Sequence, residues 1–278
     1  MLPGHGPLPA RSRRRPHPGV SLALLLLLLW PAPGRADTRP ANAGDPAVAQ
    51  AAKSAPARAG TGGPPPLFPT LAKDFEHFVS PETGFWLAGG LGVALGAHQE
   101  DRQTTTAFTG DVTLDHAFAP GGVLGNGWTE LGTAAGVYAL GLASHHAAAA
   151  RLGSALLRAG VVAGLVTDAL KIAVRRTRPN GANYSFPSGH TSVTFASATV
   201  LARAYGWKVG LPAFLAATYV GASRIESRHH YLSDVVFGAA IGIAGGRTIE
   251  LTAGRHRLAV GAAAVPGGLA IVFEPRLR

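Results

Sequence analysis

A mainly α-helical fold, a bundle of about six core helices followed by a short C-terminal β-hairpin, is what three observations predict. The chain is 47% hydrophobic and 14% charged, with 37 glycines among 278 residues. Its apolar residues gather into runs at 84–97, 128–150, 151–174, 190–205, 209–222 and 231–246, each long enough for three or more helical turns. β-prone runs at 257–265 and 269–273 flank the turn signal Pro266-Gly267-Gly268. Cysteine is absent, which excludes disulfides, thiolate metal sites, a cysteine nucleophile and a Cys-linked lipid anchor.

The first 36 residues read as an export signal. Arg11, Arg13, Arg14 and Arg15 form a basic region ahead of an 11-residue apolar core, 20–30, and Gly34-Arg35-Ala36 offers small residues at a cleavage site. Cleavage after Ala36 removes five basic residues and no acid, so the net charge of +10 falls to +5, with 20 basic residues against 15 acidic. That surplus needs no nucleic-acid partner, and no interleaving of basic and aromatic residues suggests one. Residues 37–66 are rich in Ala, Pro and Gly and read as a disordered linker.

The helical domain is expected over 67–253 and the hairpin tail over 254–278. Leu67, Phe68, Leu71, Phe75 and Phe78 recur at helical spacing, as in an amphipathic helix lying on its own domain or on a membrane surface. Glu100, Asp101 and Arg102 interrupt the apolar pattern after 84–97. Residues 103–127 are mixed; Asp111, Asp115 and His116 are metal-ligand types whose spacing matches no metal pattern. No run reaches 18 uncharged, strongly apolar residues, so a bilayer crossing does not follow from the sequence.

Three polar clusters stand out between the apolar runs. The first is Lys171 with Arg178-Pro179, the second Pro187-Ser188-Gly189-His190, the third Ser223-Arg224 followed by His230 and Asp234. A phosphomonoester carries close to two negative charges, so a site that binds it without a metal must supply cations and N–H donors. Lys171 falls at a helix end, and Pro179 puts Arg178 on the loop beyond. Arg178 and Arg224 offer planar forks of donors, and Lys171 a point charge. Ser188 is placed to cap the run 190–205, Gly189 lets backbone approach a ligand, and a helix N-terminus is a natural anion site. His190 stands at that mouth, where it can protonate a leaving oxygen. His230 and Asp234 are four residues apart, one helical face, so the carboxylate can accept from one ring nitrogen and leave the other free to attack. His229 has Ser233 at its own fourth position and reads as a bystander.

Together the three clusters resemble the signature of the type 2 phosphatidic acid phosphatase/vanadium haloperoxidase superfamily over roughly 132–253, with no signature position departing from it. The resemblance implies a helical-bundle phosphatase working through a phosphohistidine without a metal or other cofactor. His230 would attack phosphorus, His190 would protonate the leaving group, and Asp234 would support His230. Lys171, Arg178, Ser188, Gly189 and Arg224 would hold the phosphoryl oxygens. The substrate implied is a lipid phosphate or a small phosphoester, and the location exported, periplasmic or membrane-associated. Taken singly, each cluster has a plainer meaning: Arg175 and Arg176 as solvated charges, Ser188 as a cap only, His230 and Asp234 as a surface pair. A soluble acid phosphatase, a vanadate-dependent haloperoxidase holding vanadate on His230, and a non-catalytic membrane scaffold are the alternatives.

Overall fold

The computed structural model describes residues 66–251 in full and, beyond them, only the backbone of Arg257–Val265 and Gly268–Arg276. The expected leader and, apart from Pro66, the expected linker lie outside the described residues. Nine helices are described in 66–251: α1 (Leu67–Phe78), α2 (Pro81–His98), α3 (Asp101–Phe108), α4 (Val112–Leu124), α5 (Gly127–Ala143), α6 (Ala147–Val174), α7 (Gly189–Tyr205), α8 (Trp207–Glu226) and α9 (Leu232–Thr248). Six of them, α2 and α5 to α9, are the expected core helices, and α1 is the expected amphipathic one. The other two correct the reading of 103–127 as mixed. Asp111 caps α4 there by accepting from Thr113 N at 2.8 Å, which satisfies a free backbone donor at the helix start.

A second correction concerns 128–150, which is not one helix. It ends at Ala143, and His145 adopts a positive φ of 53° in the reversal that follows. His146 then caps α6, its Nδ1 accepting from Ala149 N at 3.2 Å. The reversal folds α5 back along α6.

Helix α9 is the axis of the bundle, buried continuously from Leu232 to Gly246. Its glycines at 238, 242 and 246 form one stripe along α7. A Cβ at Gly242 would stand 2.3 Å from Ser192 O, and one at Gly238 2.6 Å from Ser188 O. Only glycine permits that approach, and it draws the start of α7 onto the start of α9. Helix α2 packs on another side of α9, and α6 and α1 complete the wrap. Helix α1 is docked on its own domain: Phe78 enters the core, and buried Asp74 pairs with buried Arg158 of α6. Arg158 also donates to Glu250 O at 3.0 Å. No helix among the described residues is long and apolar enough to cross a membrane.

Candidate active site

The three polar clusters converge at one end of the bundle, where α6 stops and α7 and α9 begin. Helix α6 closes on Arg175 in the left-handed conformation, φ 52°, and the chain runs through 175–188 before α7 starts. Two tethers hold that loop over the end of α9: Ser188 N donates to Asp234 O at 3.0 Å, and Asn180 N donates to Arg228 O at 3.1 Å. At the end of α8, the carbonyl of Arg224 accepts from both His229 N and His230 N, at 3.0 and 3.1 Å. One backbone oxygen thus sets the turn that presents His230.

Six of the eight expected site residues, Lys171, Arg178, Gly189, His190, Arg224 and His230, line one cavity of about 550 Å³. Ser188 and Asp234, both 0% exposed, stand behind its wall. Ser188 Oγ caps α7, accepting from Thr191 N at 3.5 Å and from Thr191 Oγ1 at 2.9 Å. Gly189 keeps open the space beside Lys171, since a Cβ there would lie 3.8 Å from Lys171 Cε.

The pairing expected of His230 and Asp234 needs correcting. His230 precedes α9 rather than lying on it, so four residues do not make one helical turn between them. The ring nitrogen Nδ1 lies 2.6 Å from the carbonyl oxygen of Ser185 and 3.7 Å from Asp234 Oδ2. A carbonyl only accepts, so Nδ1 carries the proton and Nε2 carries the lone pair. Asp234 instead accepts from Ser185 Oγ at 2.5 Å, Tyr231 N at 2.8 Å and Arg176 Nη1 at 2.6 Å. Burial works against its ionisation, but the nearby His230 ring, these donors and the Arg176 charge outweigh it and hold the carboxyl below its usual range.

His230 is 3% exposed. Burial, with the cations Lys171 and Arg178 and against the pull of Asp234, lowers its pKa to about 4. It is neutral at pH 7, the state a nitrogen nucleophile needs. His190 is also lowered to about 4, by burial and then by Arg224 and the other histidines. Lys171 donates to Tyr184 O at 3.0 Å. Burial and Arg178 bring its pKa down to about 8, with Asp168 and Asp234 opposing. Arg178 Nε is buried with no hydrogen-bond partner. A buried guanidinium donor at the wall of a cationic cavity can take a phosphoryl oxygen as its acceptor.

Four participants escaped the sequence reading. Arg176, read as a solvated charge, bridges Asp234 to Asp101, whose Oδ2 lies 2.7 Å from its Nη2, and stacks over Tyr231 at 4.2 Å. Asp101, read as a break in an apolar run, is buried and accepts from Ser233 N at 2.9 Å and Ser233 Oγ at 2.7 Å. Ser185 sits 45 residues from the histidine it holds. His229 is no bystander by position, because it lines the cavity with its ring against Ser227 Oγ at 3.0 Å. Arg176 and Ser185 had no local signal, since their partners are distant in sequence or reached through backbone. The near partners of Asp101 and His229, His98 and Ser227, do not by themselves mark a site.

Comparison with known proteins bears on the same residues. Residues 148–256 match the model of the PAP2 superfamily. Over 96 residues the chain is 41% identical to a lipid A 1-phosphatase of Porphyromonas gingivalis, a match covering 33% of this chain and 20% of that protein. Over 130 residues it is 30% identical to lipid phosphate phosphatase 1 of Arabidopsis thaliana, covering 31% of this chain and 40% of that one. The chain therefore spans well under half the length of these relatives. In fold it is similar to the crystal structure of a transmembrane PAP2-type phosphatidylglycerolphosphate phosphatase from Bacillus subtilis. The TM-score is 0.51 at 20% identity, covering 64% of this chain and 94% of the other. All three polar clusters lie within residues 148–256, the stretch that is similar to the PAP2 superfamily.

Proposed function

We propose that the protein hydrolyses phosphomonoester or pyrophosphate bonds of a phosphorylated lipid, through a phosphohistidine and without a metal. One observation carries this reading: a buried, neutral His230, its Nδ1–H engaged by Ser185 O, faces a cavity lined by Lys171, Arg178 and Arg224. The three cations hold the phosphoryl oxygens, with the unmatched Arg178 Nε finding its acceptor there. His230 Nε2 attacks phosphorus as the bond to the leaving oxygen breaks. The positive charge that develops on the imidazole is offset by Asp234, 3.7 Å away. His190 delivers a proton to the leaving oxygen. Only imidazolium can do so, and the incoming phosphate counters the burial and the Arg224 charge that otherwise keep His190 neutral. Water then attacks the phosphohistidine, with His190 taking its proton.

Relatives named for lipid A and lipid phosphates support a lipid substrate, as do exposed apolar side chains around the helices, Phe85, Leu165 and Ile172 among them. Export and a membrane-associated site facing the periplasm are proposed on the leader-like residues 1–36. The C-terminal hairpin is proposed on the turn signal, supported by antiparallel pairing of 257–265 with 268–276.

The test is phosphate release by the mature protein in detergent with EDTA present. Phosphatidate, undecaprenyl pyrophosphate and p-nitrophenyl phosphate are offered side by side. Release from the lipids, lost in His230→Ala, is the expected result. Turnover by His230→Ala within tenfold of wild type would overturn the assignment of the nucleophile. Release mainly from the soluble ester would favour the acid-phosphatase alternative. Halide oxidation appearing only with added vanadate would favour the haloperoxidase.

A further inference from the structure

Helix α4 lies outside residues 148–256, yet its C-terminal end packs on two of the three polar clusters. A Cβ at Gly121 would stand 2.4 Å from Ser223 Oγ, and one at Gly122 2.9 Å from Arg224 Nη2. One at Gly125 would lie 3.4 Å from His190 Cβ. Further back, Phe118 and Tyr219 hold α4 on α8. Their rings stack at 5.4 Å, and Tyr219 OH donates to Ala117 O at 2.6 Å.

The last carbonyls of a helix have no partner within it. At the end of α4, Gly125 N donates to Gly121 O at 3.1 Å and Asn126 N to Val123 O at 3.2 Å. Asn126 N is the donor that a further helical turn would have brought to Gly122 O. The Gly122 backbone is passed over and hydrogen-bonds the ring of His190 instead. A carbonyl only accepts, so one ring nitrogen carries its proton toward Gly122 and the other is left for substrate.

His190 needs such a partner. It is the second residue of α7, where the positive end of the helix dipole disfavours a cation. Burial and Arg224 disfavour one too, whereas the Gly122 hydrogen bond favours the charged ring. The negative end of α4 acts in the same sense. One tautomer then serves both steps of the reaction. The nitrogen left free gives a proton to the leaving oxygen, then takes one from the attacking water.

Building on the phosphatase reading, we propose that Gly122 is a positioning residue for the reaction. Its carbonyl aims His190 at the leaving oxygen, and its missing side chain leaves the Arg224 guanidinium its place.

Gly122→Ala tests this on two esters. Gly92→Ala is the control, because a Cβ at Gly92 meets nothing within 4 Å. Phosphatidate releases an alkoxide that needs a proton, whereas p-nitrophenolate leaves without one. In Gly122→Ala, kcat on phosphatidate should fall about tenfold and kcat on p-nitrophenyl phosphate should stay within about twofold. The displaced Arg224 should raise KM on both esters. An equal loss of kcat on the two esters, or no loss on either, would overturn the proposal. A second readout is the imidazole nitrogen NMR spectrum of the wild type, with the His190 signals identified by their loss in His190→Gln. At neutral pH the ring should hold one fixed tautomer. Exchange between two tautomers would overturn the proposal even where Gly122→Ala does not fold. A wild type inert toward both esters would instead overturn the phosphatase reading, on which the spectrum does not depend.

Discussion

His230 Nδ1 is 2.6 Å from the carbonyl oxygen of Ser185 and 3.7 Å from the nearer carboxylate oxygen of Asp234. A backbone acceptor cannot be removed by side-chain substitution, and its proton preference does not change with pH. The tautomer of His230 is therefore set independently of Asp234, whose contribution is charge and the placing of Ser185.

Asp234→Asn should consequently slow hydrolysis without abolishing it. Losing one negative charge 3.7 Å from the imidazole destabilises the positive charge formed on attack. A loss of roughly ten- to a hundredfold in kcat is expected, equivalent to about 1.4–2.7 kcal/mol. Single-turnover kinetics on protein shown folded by circular dichroism would check it. A loss of about ten-thousandfold, the scale associated with a wrong tautomer, would mean that the carbonyl does not hold the ring.

Arg176→Ala leaves Asp234 and Asp101 buried without their shared cation. Breaking a buried pair costs about 3–5 kcal/mol, and because the Arg176 side chain is 21% exposed about 2–3 kcal/mol is expected here. Denaturant unfolding measures this. The uncompensated Asp234 charge should also favour protonated His230, so the acid limb of kcat/KM should move to higher pH. A merely structural role would leave that limb in place.

Besides His190, whose protonation depends on the bound phosphate, two groups shape the pH profile. His230, with its pKa near 4, stays unprotonated as pH falls through the range where ordinary imidazole charges, so kcat/KM should hold down to about pH 4 to 5. Lys171 loses its charge as pH rises through about 8, and phosphate binding weakens above it. Lys171→Arg should extend the alkaline limb upward, because a guanidinium stays charged. An alkaline limb unmoved by that substitution would assign it to another group.

Gly242→Ala places a Cβ where Ser192 O stands 2.3 Å away and Phe195 Cβ 2.7 Å away. Helices α7 and α9 must separate, at a cost of about 1–3 kcal/mol. For a domain of this size that lowers Tm by roughly 2–4 °C per kcal/mol, measured by thermal unfolding. An unchanged Tm would show that the two helices do not need their close approach.

The helical class, the six long apolar runs and the three polar clusters were legible in the sequence. Periodicity and composition are local properties, and each cluster carries its chemistry within a few residues. Pro179 alone was enough to place Arg178 past the end of α6. What stayed hidden depends on contacts between residues far apart. Four-residue spacing suggested a helical pair for His230 and Asp234, but a helix that starts at Leu232 cannot carry His230 on its face. The ring found a carbonyl 45 positions earlier instead. Arg176 looked solvated because neither Asp101 nor Asp234 is near it in the chain; α9 brings both within hydrogen-bond reach. Residue types and their order determined what chemistry this protein can offer. Which groups touch was decided by the glycine stripe of α9, because only that close packing brings the ends of α6, α7 and α8 to one cavity.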